Sequence, residues 1–85
     1  MKEQGYQNKI IRRLEEKGYY VIKLIKTNKN GIPDLVALKD GCKPLFIECK
    51  TERGKVSKLQ EFRLKELKNR GFETGVSYGN EIREH

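Results

Sequence analysis

Residues 31–54 read GIPDLVALKDGCKPLFIECKTERG, and their pattern indicates the centre of the predicted sheet. Two apolar runs, PDLVALK and PLFIECK, are separated by a DG dipeptide, which favours a hairpin connection. The pattern therefore predicts two neighbouring antiparallel strands over residues 33–39 and 44–50. A carboxylate stands at the start of the first strand, and a carboxylate and a lysine stand at the end of the second.

Helical and strand-forming patterns flank this hairpin on both sides. Residues 3–17 are predicted to form a helix that Gly18 ends, with one apolar side made of Tyr6, Ile10, Ile11 and Leu14. Residues 19–26, YYVIKLIK, are rich in aromatic and β-branched residues, which favours a strand. After the hairpin, Ser57 is a good N-cap for a second helix that Gly71 ends, and residues 72–78 alternate as a last strand.

The predicted order of elements is therefore αβββαβ. Short connections favour antiparallel pairing among the first three strands, whereas the last strand–helix–strand unit favours a right-handed crossover between parallel strands. The predicted fold class is α/β, with a mixed four-stranded sheet flanked by helices. Since the chain has 85 residues, we expect one domain over residues 1–85.

The composition favours a polyanionic partner. Nineteen Lys and Arg against twelve Asp and Glu give a net charge of +7, which is typical of nucleic-acid binding, although a charged surface that only keeps the protein soluble explains it too. Cys42 and Cys49 match no metal-ligand spacing. In a chain without a signal peptide they are expected to be free thiols in the cytoplasm. No apolar run reaches the roughly 18 residues that span a bilayer, so no membrane partner is expected.

Alternation along the hairpin brings three charged side chains to one edge of the predicted sheet. Glu48 and Lys50 lie on the same face of their strand, and Asp34 begins the neighbouring antiparallel strand at the same edge. Two carboxylates about 4 Å apart repel by about 1 kcal/mol in water and by more where they are partly buried, so a cation between them favours their ionised forms. Oxygen ligands suit Mg²⁺ or Mn²⁺, and a nearby lysine can stabilise charge on a phosphodiester transition state.

The Glu-x-Lys pattern is uninformative by itself, because it occurs three times, beginning at Glu15, Glu48 and Glu66. Only the pattern that begins at Glu48 ends an apolar strand. The alternative interpretation is purely structural, with Asp34 as a turn residue and with Glu48 and Lys50 on the solvated face of a half-exposed strand.

Pro33-Asp34, thirteen residues, and then Glu48-Cys49-Lys50 resemble the PD-(D/E)xK nuclease signature. The longer stretch from NGIPDLVAL to LFIECKTERGKVSKLQ is similar to the VRR-NUC branch of that superfamily, in its short stand-alone form typical of phages and bacteria. The VRR tripeptide that names the branch is absent. The resemblance extends over nearly the whole chain and implies a restriction-endonuclease-like core.

The resemblance also implies roles for individual residues. Asp34 and Glu48 would be metal-binding carboxylates, Lys50 the catalytic lysine, and the main-chain carbonyl of Cys49 a further metal contact. Glu3 is similar to an additional metal-binding acidic residue of the family. Gln60 matches a glutamine that faces the active site, but Ser57 and Gln60 also have the spacing of a helix capping box, and the two interpretations are not exclusive.

Basic residues cluster in the two loops that flank the predicted site. We expect them to contact DNA phosphates, which gives affinity without sequence specificity, although surface solubility is the alternative for any one of them. They are Lys26, Lys29, Arg53, Lys55 and Lys58. Because the sequence contains no zinc finger or other sequence reader, selection by DNA shape is expected.

These observations and the resemblance predict a Mg²⁺- or Mn²⁺-dependent, structure-selective DNA endonuclease. The resemblance implies a homodimer that resolves Holliday junctions in the cytoplasm of a bacterial or phage-infected cell. The first alternative is a nuclease acting on flaps, nicked duplex or a restriction-type target. The second is a non-catalytic nucleic-acid-binding module on a nuclease fold, and a protein-interaction domain is a more distant third.

Overall fold

The computed structural model describes residues 2–85 as two helices and five strands. Their order is α1 (Glu3–Glu16), β1 (Tyr20–Lys23), β2 (Leu35–Leu38), β3 (Leu45–Lys50), α2 (Lys58–Asn69), β4 (Glu73–Tyr78) and β5 (Glu81–Glu84). The strands form one sheet in the order β1-β2-β3-β4-β5. Strands β3 and β4 are parallel, and all other neighbours are antiparallel. The predicted αβββαβ core and its mixed sheet are therefore confirmed.

The structure adds a fifth strand that the sequence analysis did not predict. Strand β5 pairs antiparallel with β4 through a two-residue turn, with Tyr78 opposite Glu81. Gly79 begins that turn at a φ of +65°, the conformation that a II′ hairpin turn requires and that glycine adopts without strain. All four residues of β5 are exposed, so the strand lacks the apolar alternation that reveals a strand in a sequence.

The sheet is covered on its two faces by different helices, which accounts for the alternation along β3. Ile47 and Cys49 lie in the core under α1, with Leu35 and Ala37 of β2 and with Ile10 and Leu14 of the helix. Helix α2 covers the opposite face of β3 and β4 and buries Leu64 there. None of the described helices is long and apolar enough to cross a membrane.

The three residues predicted to cap or end the helices, Ser57, Gly18 and Gly71, lie at helix ends in the structure. Ser57 caps α2 by accepting a hydrogen bond from the Gln60 N–H, and Gln60 completes the capping box by accepting one from the Ser57 N–H. Gly18 and Gly71 follow the two helices at φ values of +91° and +92°. This left-handed conformation ends a helix at little cost only when the residue is glycine.

Candidate metal centre and active site

The register of the hairpin determines where the two strand-end carboxylates meet. Leu35 pairs with Ile47 and Val36 with Phe46. One further step of this antiparallel register places Asp34 opposite Glu48, on the face of the sheet that α2 covers. The side chain of Asp34 then accepts a hydrogen bond from the Cys49 N–H at 2.8 Å, which fixes its position beside β3.

Glu3 supplies a third carboxylate from the other side of the sheet. It lies in the first turn of α1, the helix that packs on the opposite face, and reaches the end of the sheet where Asp34 and Glu48 lie. One carboxylate oxygen from each of Glu3, Asp34 and Glu48 lies within 4.8 Å of the other two. Three hard oxygen donors at this separation match the ligand set of a small divalent cation such as Mg²⁺ or Mn²⁺.

Glu48 is the most constrained of the three acids. Glu48 is only 2% exposed. Burial and the neighbouring charge of Asp34 raise the pKa of Glu48 to about 8, although Lys50 acts in the opposite direction. The Lys50 Nζ lies 3.6 Å from the Glu48 Oε2, and its side chain is also largely buried. The carboxylate therefore lies in a pocket that favours its proton unless further positive charge is bound.

The side chain of Gln60 joins the cap of α2 to the acidic cluster. Its Oε1 accepts from the Ser57 N–H at 3.0 Å, while its Nε2 donates to the Glu48 Oε2 at 3.1 Å. The cap and the contact with the site, left open by the sequence, thus coexist in one amide group. Because the cap occupies the amide oxygen, the amide nitrogen is the end that faces Glu48.

The two ends of Cys49 face different parts of the molecule. Its thiol lies in the core under α1, where burial and the nearby acids raise its pKa to about 12, so it stays protonated. Its N–H is directed at Asp34. Because the N–H and C=O groups of one strand residue point to the same side, its carbonyl faces the same edge of the site.

The five basic residues predicted to contact DNA are all exposed. Lys26 and Lys29 lie in the loop between β1 and β2 and line a cleft of about 330 Å³ that Asp34 also lines. Arg53 and Lys55 lie in the connection from β3 to α2. Lys58, expected in that loop, is the first residue of α2.

A contact that the sequence analysis missed joins α1 to the segment after β3. The Tyr6 hydroxyl donates a hydrogen bond to the Glu52 carboxylate, which raises the pKa of Tyr6 above its ordinary value. Tyr6 lies one helical turn after Glu3, so this contact holds the start of α1 near the end of β3. The helical pattern identified Tyr6 only as a core residue, because no local signal indicates a partner 46 positions away.

Comparisons with protein-family models and with solved structures identify the same kind of domain. The VRR-NUC domain family matches residues 1–81 of the chain. A solved structure described as a VRR_NUC domain superposes with a TM-score of 0.78 at 25% sequence identity, covering 92% of this chain and 85% of that one. No curated protein sequence matches. With its fold and its strand-end acidic cluster in place, the chain belongs to the VRR-NUC domain family of nuclease-fold domains.

Proposed function

We propose that this protein is a metal-dependent, structure-selective DNA endonuclease that hydrolyses phosphodiester bonds, with residues 1–85 forming one nuclease domain. The observation that carries the proposal is the convergence of Glu3, Asp34 and Glu48, with oxygens within 4.8 Å of one another, beside the Lys50 ammonium. Surface carboxylates are usually solvated separately. A buried acid with a raised pKa, surrounded by charged and polar groups, is typical of functional sites.

The proposed ligands of Mg²⁺ or Mn²⁺ are the carboxylates of Asp34, Glu48 and Glu3 and the main-chain carbonyl of Cys49. The fit is supported by the donor chemistry, since all four are hard oxygen donors, and by the repulsion between Asp34 and Glu48 that a cation would relieve. A bound divalent cation supplies positive charge that lowers the pKa of a water molecule and stabilises the charge that develops on phosphate.

Lys50 and Gln60 are the proposed catalytic residues without a ligand role. The Lys50 ammonium can hydrogen-bond a phosphate oxygen or the attacking water, because its Nζ lies at the rim of the acidic cluster. The Gln60 amide holds the Glu48 Oε2. That bond would hold the Glu48 carboxylate in position beside Asp34 and Glu3.

The basic residues on both sides of the site would hold the DNA backbone. Lys26 and Lys29 line the cleft that Asp34 also lines, Arg53 and Lys55 lie in the connection from β3 to α2, and Lys58 begins α2. Exposed lysine and arginine side chains bind phosphate without reading sequence, and they make affinity strongly dependent on salt. Selection by the shape of the DNA follows from that kind of contact.

The proposed substrate is a four-way junction, cut by a homodimer. A four-way junction offers equivalent strands related by a two-fold axis, which matches two active sites in a symmetric dimer. Two exposed aromatic side chains are available to such a partner subunit, since Tyr20 on β1 is 70% exposed and Phe62 on α2 is 54% exposed. Light scattering of the protein alone tests the dimer independently of cleavage.

The experiment that tests this function compares labelled four-way junction, flap and linear duplex DNA in Mn²⁺ and in EDTA. Paired symmetric cuts in the junction that are lost in EDTA are the expected result. Metal-dependent cutting of flaps or duplex alone would support the proposed active site and contradict the proposed junction substrate. Binding to all three substrates without cutting would contradict the nuclease proposal.

Replacing Tyr6 by phenylalanine is expected to weaken Mn²⁺ binding several-fold while the fold is kept. The substitution removes the hydrogen bond that ties α1 to Glu52, and the carboxylate of Glu3 one turn away loses its fixed position. Calorimetric titration with Mn²⁺ measures the effect, and Tyr20→Phe is the matched control because Tyr20 is exposed on β1. Equal affinities for wild type and Tyr6→Phe would show that Glu3 is positioned without this contact.

A further inference from the structure

Ile25 is the most exposed large apolar side chain of residues 2–85, with 87% of its surface accessible. Single exposed apolar residues are ordinary on protein surfaces, so exposure alone indicates nothing. The position of Ile25 is what distinguishes it. Ile25 directly follows Leu24, whose main chain is hydrogen-bonded to that of Asp34 in the candidate active site.

The last hydrogen bond between the first two strands places Ile25 at the site. The Leu24 N–H donates to the main-chain oxygen of Asp34 at 2.8 Å. Ile25 is the next residue, and it lines the same 330 Å³ cleft as Asp34, together with Lys26 and Lys29. An apolar side chain therefore shares a cleft with two lysines that are proposed to bind phosphate and with a proposed metal ligand.

The loop that carries Ile25 is held in place at several points. The Thr27 hydroxyl donates to the main-chain oxygen of Lys29 at 2.7 Å. At the far end of the loop, the Arg63 Nε donates to the main-chain oxygen of Asn30 at 2.8 Å.

The end of the loop also packs closely on α2. Gly31 has a φ of +80°, and a Cβ at this position would lie 2.7 Å from the Leu59 Cγ. None of these contacts covers Ile25, so the loop keeps this side chain in solvent.

We infer that Ile25 is a wedge that inserts between base pairs at the branch point of the DNA, an inference that rests on the proposed DNA substrate. Apolar wedges between base steps, accompanied by basic residues on the phosphates, are an established way for proteins to open or kink a duplex. In the open form that a four-way junction adopts without divalent cations, the base pairs at the branch point stack on one side only. They therefore open at lower cost than base pairs inside a duplex, as disrupted base pairs generally do. Ile25 would thereby contribute to the selection of branched over linear DNA.

The test uses a four-way junction with 2-aminopurine at the branch point, a base whose fluorescence rises when it is unstacked. In EDTA, where no cutting occurs, the wild-type protein is expected to raise the fluorescence, and Ile25→Ser is expected to bind with little or no rise. Ile25→Leu should restore the rise. Ile82→Ser is the matched control, because Ile82 is also partly exposed but lies on β5. In Mn²⁺, Ile25→Ser is expected to cut the junction about tenfold more slowly, the loss that about 1.4 kcal/mol produces.

The outcomes separate this inference from the proposed function. A rise in fluorescence that is the same for wild type and Ile25→Ser would overturn the wedge, even if both proteins cut junctions. The absence of any rise with the wild type would also overturn it. A wild-type protein that unstacks the branch point through Ile25 but cuts nothing in Mn²⁺ would contradict the nuclease proposal and retain the wedge. Circular dichroism of each variant identifies a loss of fold.

Discussion

Lys50→Ala is expected to lower the rate of DNA cleavage by about 10²–10³-fold, the usual effect of removing one group that stabilises transition-state charge. The Lys50 Nζ lies 3.6 Å from the Glu48 Oε2, and its side chain is 14% exposed, so the ammonium is held beside the acidic cluster. An ammonium cannot bind a cation. Its removal should therefore leave Mn²⁺ affinity unchanged or slightly raised, because a repelling charge is lost. Single-turnover cleavage and calorimetric titration with Mn²⁺ measure the two effects separately.

The chain offers a matched control for this substitution. Lys17 follows Glu15 with the same spacing that separates Lys50 from Glu48, but it lies exposed at the end of α1. Lys17→Ala should cut DNA at the wild-type rate. If Lys50→Ala also cuts at that rate, then Lys50 serves only as a charge partner of Glu48, and the proposal that Lys50 is a catalytic residue is wrong. If Mn²⁺ binding is lost together with cleavage, the substitution has damaged the site itself.

The hairpin made much of this site predictable from the sequence. A strand has a side-chain period of two, and a short turn fixes the register of its two strands. The alternation of residues along the two strands was therefore enough to assign Asp34 and Glu48 to one edge of the sheet. The partner of Gln60 in its capping box was equally predictable, because a capping box is a local pattern of four residues.

The burial of Glu48 was not predictable in the same way. A strand that ends in charged residues is compatible with a solvated face. Glu48 is buried because the folded chain places Gln60 of α2, Lys50 and the other two acids against it. The angle at which a helix crosses a sheet depends on contacts between distant side chains. For the same reason, the sequence did not reveal the hydrogen bond from Tyr6 to Glu52. Strand β5 was missed because pairing of its main chain with β4, rather than burial of its side chains, defines it.

Glu48→Gln is expected to abolish cleavage and Mn²⁺ binding while it stabilises the metal-free protein at pH 8. These opposite effects follow from the position of one carboxylate. Removing the charge removes a proposed metal ligand, but it also removes the repulsion from Asp34 and the cost of burial that raise the pKa of Glu48. The amide oxygen that replaces the carboxylate can still accept the hydrogen bond from the Gln60 Nε2, so the packing is kept.

The dependence of stability on pH gives this prediction its sign. The pKa of Glu48 is about 8 in the folded protein, against an ordinary value of 4.5. Between these pH values the folded state binds more protons than the unfolded state, so the free energy of unfolding falls as the pH rises, by at most about 1.4 kcal/mol per pH unit from this group. Below that range Glu48 is protonated in both states and contributes no dependence. Wild type and Glu48→Gln should therefore have equal free energies of unfolding at pH 4. At pH 8 the wild type should be the less stable of the two.

Urea unfolding of metal-free wild type and Glu48→Gln at pH 4, 6 and 8 measures this difference in stability. Mn²⁺ should stabilise only the wild type at pH 8, because a ligand that binds the folded state shifts the folding equilibrium toward that state.

Glu66→Gln is the control of opposite sign. The hydrogen bond from Arg63 lowers the pKa of Glu66, so its ionised form stabilises the folded state above its ordinary pKa, and that contribution is lost as the pH falls. Glu66→Gln should therefore not raise stability at pH 8. A Glu48→Gln protein that is less stable than wild type at pH 8 would mean that Glu48 is ionised and well paired in the metal-free fold. The acidic cluster would then be stable without a bound cation.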